Sequence, residues 1–433
     1  MTEKSYSERL RHVIPGGAHT YSRGDDQFPS NAPQILVRGK GCHVYDTDGR
    51  RYLDYGMALR AVNVGYAEDE IDEAAIAQIR NGNNLTRAST IELEAAELLV
   101  DLIDSVDMVK FTKNGSTAVS AAVKLARAYT GRELVARCTE HPFFSYDDWF
   151  IGSTPLTRGI PQETLEKTKL FAYGDLASME RLVDQFPGQI ACVVLEAATT
   201  EAPPPGFLEG LRALCDKNGI LLVLDEMITG FRWHLKGAQH VYGLSPDICT
   251  FGKAMANGYS VACVAGRREI MELGSIDKPG QERTFLLSTT HGAEMNGLGA
   301  FVRTVGFLRE HGVVDHLWAY GQRLIDLMNQ KAREHGVADS FRAGGIACSP
   351  YYLTLDRQGA ASLPMRTLFA QEMVRQGVLM PWIALSWRHG DAELAQTEAA
   401  LDHALKVYRQ ALDQGWENLL EGTPIKPVFR RFN

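Results

Sequence analysis

The chain is expected to be an α/β protein, with a mainly parallel sheet flanked by helices and a smaller α+β domain. Three observations carry this. Its 433 residues exceed a single minimal core, which implies about two or three domains. Between about residues 90 and 310, short β-branched runs alternate with amphipathic stretches, as strands do when covering helices join them. After about residue 310 the pattern turns to long helices around one short strand. The expected division is an N-terminal segment at 1–60 that contributes to the small domain and the site, a large domain at 61–310 and a small C-terminal domain at 311–433.

The elements can be justified in chain order. CHVYDTDGRRYLDY reads as two strands around an Asp48-Gly49 turn, a hairpin that suits either domain. A helix over 117–129 places Val119, Val123, Ala126 and Tyr129 near one face, and Gly131 follows as its C-cap. Strands are expected at 135–138, 190–196 and 220–225. A helix over 207–217 stops at Asn218-Gly219 and runs at once into ILLVLD, the form of an αβ unit. Helices over 314–334 and 392–412 flank a strand at 351–355. The segment 151–164, rich in Gly, Ser, Thr and Pro, reads either as a lid or as a surface connection.

Composition excludes several function classes. A hydrophobic fraction of 45% is enough for a chain folded nearly end to end. The net charge is −8 with both signs interspersed, so there is no basic stripe for nucleic acid. MTEKSYSERL lacks the apolar core of a secretory signal, and no apolar run approaches the roughly 18 residues of a membrane helix. Seven unpaired-looking cysteines in apolar runs read as reduced core thiols, which fits a cytoplasmic protein. No CxxC or HExxH pattern is present, so no metal site is expected.

Three motifs can carry chemistry. In FTKNGSTA a strand runs into Asn114-Gly115-Ser116-Thr117 and then a helix. That fits a phosphate cup, with glycine letting an anion approach helix-start N–H groups and two hydroxyls beside them. It also fits an ordinary N-cap after a turn. Asp225 ends ILLVL, where a parallel sheet presents its ligands. There it either meets a cationic partner such as a protonated ring nitrogen, or Asp225 or Glu226 caps the next segment. Lys253 stands in an apolar, glycine-punctuated strand, DICTFGKAMANGYSVACVAG. Buried, it would be a neutral amine able to act as nucleophile and base; otherwise it snorkels to the surface. Together, in the order cup, strand-end aspartate and, 28 residues later, lysine, the three supply what pyridoxal phosphate needs: a phosphate anchor, a pyridinium partner and an imine-forming amine.

With these residues in place, the chain resembles the class III aminotransferases, and within them the branch of glutamate-1-semialdehyde aminomutase. The resemblance runs from PGGAHTYSRG at 15–24 to the C-terminal helices, and is densest in PGFLEGLRALCDKNGILLVLDEMITGFR and SPDICTFGK. It implies a fold type I transferase with a seven-stranded sheet, and pyridoxal phosphate as cofactor. Lys253 resembles the Schiff-base lysine, Asp225 the partner of the pyridine nitrogen, and Met227 the residue packed on one ring face. Phe143 falls where the family stacks an aromatic on the other face, although the His-Gly that follows it there is Phe144-Ser145 here. Gly115, Ser116 and Thr117 match the phosphate loop, and Glu196 stands at the glutamate of the family's Glu-Pro dipeptide. In STTHG, Thr289 or Thr290 resembles the threonine that reaches the neighbouring subunit's phosphate, which implies a homodimer with shared sites.

The resemblance also reaches the substrate. Thr20 and Arg23 fall at the offsets where the aminomutase binds its substrate carboxylate; Arg23 reads either as that fork or as a solvated loop charge. Arg60 and Arg232 are further anion candidates. Three departures stand out: Pro381 replaces the aminomutase's glutamate, Ala197 follows Glu196 in place of proline, and Tyr259 replaces a proline after Gly258. The ending GTPIKPVFRRFN resembles relatives associated with surface-sugar biosynthesis. The expected activity is transamination from an amino donor such as L-glutamate to an aldehyde or ketone, with intramolecular aminomutase chemistry as the alternative.

Overall fold

The computed structural model of the protein describes residues 5–432. Its described residues divide into two compact units, one within 5–68 and 315–430, the other within 69–314 with 431–432.

The second unit is built on a seven-stranded sheet. Its spatial order is Met108–Thr112, Ala262–Gly266, Ile248–Phe251, Leu221–Asp225, Ile190–Leu195, Leu134–Cys138, Thr168–Phe171. The five strands from Ile248–Phe251 to the far edge run parallel, and Ala262–Gly266 is antiparallel to both its neighbours. Every residue of Ile190–Leu195 and Leu221–Asp225 is buried, because helices cover both faces of a parallel sheet. This is why those strands read as continuous apolar runs.

The Gly115–Thr130 helix buries Ala118, Val119, Ala122, Val123 and Ala126 and ends at Gly131, whose φ of 66° closes the C-cap. Phe207–Asn218 ends in the same way at Gly219 and leads directly into Leu221–Asp225. All seven cysteines are free and buried.

The first unit holds the hairpin. His43–Asp46 and Arg51–Asp54 pair antiparallel; Asp46 Oδ1 accepts from the N–H groups of Asp48 and Arg50, and Gly49 has φ 79°. Leu36–Lys40 adds an antiparallel edge and Val378–Leu379 a parallel one. Phe341–Ile346 and Ser349–Thr354 form a separate hairpin beside the Leu363–Arg375 and Asp391–Gln414 helices. Among the described residues, no helix is long and apolar enough to cross a membrane.

Candidate active site

The site residues of the second unit gather at the carboxyl ends of its parallel strands, the end at which such sheets bind ligands. Asp225 is the last residue of its strand and pairs in register with Thr250 of the next. Its Oδ1 accepts from the Met227 N–H at 2.8 Å and from the Thr250 hydroxyl at 3.2 Å. Asp225 is 2% exposed, and this burial raises its carboxyl above the usual range against the Met227 N–H and the Lys253 charge. A cationic partner is what offsets that cost.

Glu226 takes the capping role left open for the pair. It accepts from the Ala238 and Gln239 N–H groups, each at 2.9 Å, and from the Thr229 hydroxyl, so it caps Ala238–Val241. Asp225 takes no part in that cap.

Lys253 stands just beyond a strand. The strand ends at Phe251, Gly252 is extended, and Lys253 opens a short 3-10 turn with φ 47°. The expected glycine-punctuated strand stops there because this lysine is in the left-handed region, which breaks the ladder. A non-glycine residue held in that region is strained, and such strain gathers at functional positions.

Met227 ties the motifs together. It packs with Ala118 and Ala262, and its Sδ lies 2.6 Å from where a β-carbon on Gly252 would stand and 2.9 Å from one on Gly115. The phosphate-loop glycine and the glycine before the lysine therefore meet at one thioether. Asn114 caps the helix by accepting from the Thr117 N–H at 2.9 Å and its hydroxyl at 3.0 Å. Gly115 and Ser116 supply the earliest N–H groups, which have no carbonyl within the helix to bind. The N-cap and the cup are thus compatible. The Ser116 hydroxyl accepts from the Tyr146 N–H at 3.2 Å, keeping its own proton for donation.

The remaining candidates are placed as follows. Phe143 is 47% exposed, with its ring edge-on to Phe150 at 5.7 Å. Glu196 is buried, and its N–H donates to His141 Nδ1 at 3.2 Å. Thr289 and Thr290 are exposed, and the Thr290 carbonyl accepts from the Asn84 amide. Arg232 is fully buried, and Arg60 ends the Met57–Arg60 turn of the first unit. Thr20 and Arg23 also belong to the first unit, where Arg23, but not Thr20, lines a cavity. Tyr259, in place of proline, donates to Asp72 at 2.9 Å, and the Ala197 carbonyl accepts from the Tyr173 hydroxyl at 2.6 Å.

The sequence reading missed His141. Burial pushes its imidazole down to about 3, and the Glu196 N–H at Nδ1 places the ring proton on Nε2. A histidine between an acidic residue and proline, three residues past the end of the Leu134–Cys138 strand, was the available signal.

A model of the class III aminotransferase family matches residues 25–381. The chain belongs to that family. A 3-aminobutyryl-CoA aminotransferase of Cloacimonas acidaminovorans (strain Evry) is 31% identical over 418 residues, covering 94% of this chain and 97% of that protein. The FumI protein of Sphingopyxis sp. MTA144, solved with pyridoxal phosphate, superposes with a TM-score of 0.86 at 27% identity, covering 94% and 97% of the two chains. A glutamate-1-semialdehyde aminomutase of Pseudomonas aeruginosa PAO1 has a TM-score of 0.82 at 20% identity, covering 93% and 94%, a likeness of fold. The protein is a pyridoxal-phosphate-dependent aminotransferase of fold type I. Its residues fit that cofactor: a glycine-lined cradle stands beside a helix start, and a buried strand-end carboxylate stands ready for a cation.

Proposed function

We propose that the enzyme moves an amino group from L-glutamate to an aldehyde or ketone acceptor, with Lys253 as the Schiff-base lysine. The observation that carries this is the meeting of Gly115, Met227 and Gly252 one or two residues from Asp225 and Lys253. Pyridoxal phosphate, when bound, supplies the electron sink. Asp225 pairs with the ring nitrogen and keeps it protonated. Lys253 Nζ, freed when the donor's amine takes its place on the cofactor, would take the donor's α-proton and return it to the cofactor's aldehyde carbon. The Gly115 and Ser116 N–H groups and the Ser116 hydroxyl would hold the phosphate, and the Thr117 hydroxyl would turn to it from Asn114, to which it donates without the cofactor. Met227 and Phe143 would pack against the cofactor's ring, and Glu196 would border it.

Thr20 and Arg23 are the proposed contacts of the substrate carboxylate. Thr289 or Thr290 serves the neighbouring subunit's phosphate in a homodimer, consistent with the exposure of both in the single chain. Seven free, buried thiols support a cytoplasmic setting. The relative that acts on 3-aminobutyryl-CoA supports a ketone acceptor with its carbonyl β to an acyl group. Pro381, where the resemblance puts the aminomutase's glutamate, favours transamination over intramolecular transfer.

The test is an absorbance spectrum of the purified protein before and after L-glutamate. The visible band of lysine-linked cofactor is expected to convert to the ultraviolet band of the aminated form. A band unmoved by glutamate would overturn the donor assignment. Turnover of the semialdehyde with no added donor would establish the aminomutase instead.

A further inference from the structure

The Leu36–Lys40 and His43–Asp46 strands are joined by a two-residue turn, because Lys40 pairs with His43 across it. Gly41 takes the first place of that turn with φ 62°, the glycine-first pattern of a tight hairpin, and Cys42 takes the second. Neighbouring residues within a strand point to opposite faces. Cys42 lies in the turn instead, and its Sγ comes within 3.8 Å of His43 Nδ1. Glu393, in the first turn of the Asp391–Gln414 helix, brings a third donor to the same place. One atom each of the thiol, the imidazole and the carboxylate lie within 4.8 Å of one another. All three residues belong to the first unit, whereas Asp225 and Lys253 belong to the second.

These donors have capacity left for a cation. The Cys42 thiol donates its one proton to the Arg388 carbonyl at 3.0 Å, so none is left for His43. Glu393 Oε2 accepts from the Gly390 N–H at 3.0 Å and caps its helix, while Oε1 has no donor among the described residues. Nor does the Glu393 charge have a cationic partner among them: the Arg388 guanidinium is paired with Glu68 at 2.6 Å, and Arg323 with Asp391 at 2.7 Å. Cys42 is buried, and His43 and Glu393 are partly exposed, so the cluster can be reached from solvent.

The donor set narrows the ion. A thiolate with an imidazole favours a borderline-soft metal over magnesium or calcium, which take oxygen ligands. Tetrahedral zinc, with bonds of about 2.3 Å to sulfur and about 2.1 Å to nitrogen, sets those two atoms about 3.6 Å apart. The 3.8 Å between Cys42 Sγ and His43 Nδ1 is close to that edge. Thiolate and carboxylate together balance a dication, and neutral imidazole adds no charge.

We propose that Cys42, His43 and Glu393 form a site for a zinc-type divalent cation, which ties the hairpin turn to the start of the Asp391–Gln414 helix. The Cys42 thiol releases its proton to solvent as the metal–sulfur bond forms, and water fills the fourth position. No metal motif marks the site in the sequence, because the third donor comes from the far end of the chain.

The test is calorimetric titration of the chelator-treated holoenzyme with zinc chloride, repeated with cobalt(II), whose spectrum reports its ligands. The wild type is expected to bind one zinc per chain here and to give a tetrahedral cobalt spectrum with a sulfur charge-transfer band. Zinc affinity is expected to fall at least about tenfold in Cys42→Ser and in Glu393→Gln, the latter keeping an oxygen for the Gly390 N–H. The cofactor's visible band shows that each variant is folded. Zinc should raise the denaturation midpoint of the wild type, and leave each variant at its own metal-free value. No zinc binding to the wild type, or undiminished affinity in either variant, overturns the proposal. A cobalt spectrum without the sulfur band places the ion on other donors and overturns it as well.

Discussion

The Met227 sulfur stands 2.6 Å from the position of an absent Gly252 β-carbon. Gly252 is extended, with φ −178°, so its conformation is open to any residue. Size is the constraint here. Gly252→Ala would drive Met227 away from Gly115 and Ala118, an overpacking that costs about 1–3 kcal/mol. The expected outcome is weaker cofactor retention, read as loss of the visible band on dialysis. Met227→Ala in the same chain should restore much of the lost stability, read by the denaturation midpoint, by vacating the space.

Lys253 and Asp225 separate two roles that a single loss of activity would merge. Lys253→Ala is expected to abolish turnover while the cofactor still binds without its covalent link, seen as a shifted spectrum and release on gel filtration. Asp225→Asn keeps the shape and removes the charge. Turnover should fall by orders of magnitude with the denaturation midpoint little changed, since the native carboxylate is already raised in pKa by burial.

What was legible in the sequence had a local cause. The Gly115–Thr130 helix could be read because its apolar spacing and its terminal Gly131 lie within one stretch of chain. Lys253 stood out because a lysine in an apolar run is costly wherever the fold puts it. Its left-handed backbone was not legible, because no residue type there demands positive φ. The Met57–Arg60 turn, whose four residues all have positive φ, escaped for the same reason. The carboxylate and phenol that hold it come from Asp54 and Tyr66, and the second of these lies beyond the turn. The choice between Asp225 and Glu226 as the cap depended on where residues 238 and 239 arrive in space, which only the fold settles.

Two buried histidines set an acid limit on stability. Burial lowers His141 and His389 to about 3, well below the ordinary value of 6.5. The unfolded chain therefore binds more protons than the folded one between those values, and stability falls as pH drops from 6.5 towards 3. Above 6.5 both forms are neutral and the effect vanishes. At pH 5.5 each histidine should cost about 1.4 kcal/mol relative to neutral pH. Urea unfolding at pH 5.5 and 7.5 measures this, and His141→Gln, which keeps an acceptor for the Glu196 N–H, should reduce the difference by about 1.4 kcal/mol.

Asp247 separates stability from activity. Its carboxylate accepts from Arg212 at 2.8 Å, from Arg267 at 2.7 Å and from the Leu222 N–H at 2.7 Å. The side chain of Asp247 is 7% exposed and that of Arg212 18%, so removing the acid leaves a largely enclosed guanidinium with Asp216 as its remaining carboxylate. Breaking such a pair costs about 3 kcal/mol, at the lower end for buried pairs because Arg267 is half exposed. Asp247 precedes the strand Ile248–Phe251, whereas Lys253 follows it, so the loss falls at the end of the sheet away from the site. Asp247→Ala should therefore lower the denaturation midpoint by several degrees while leaving turnover per folded molecule within about twofold of wild type. A large fall in turnover at unchanged stability would instead mean that the network reaches Lys253 along the strand.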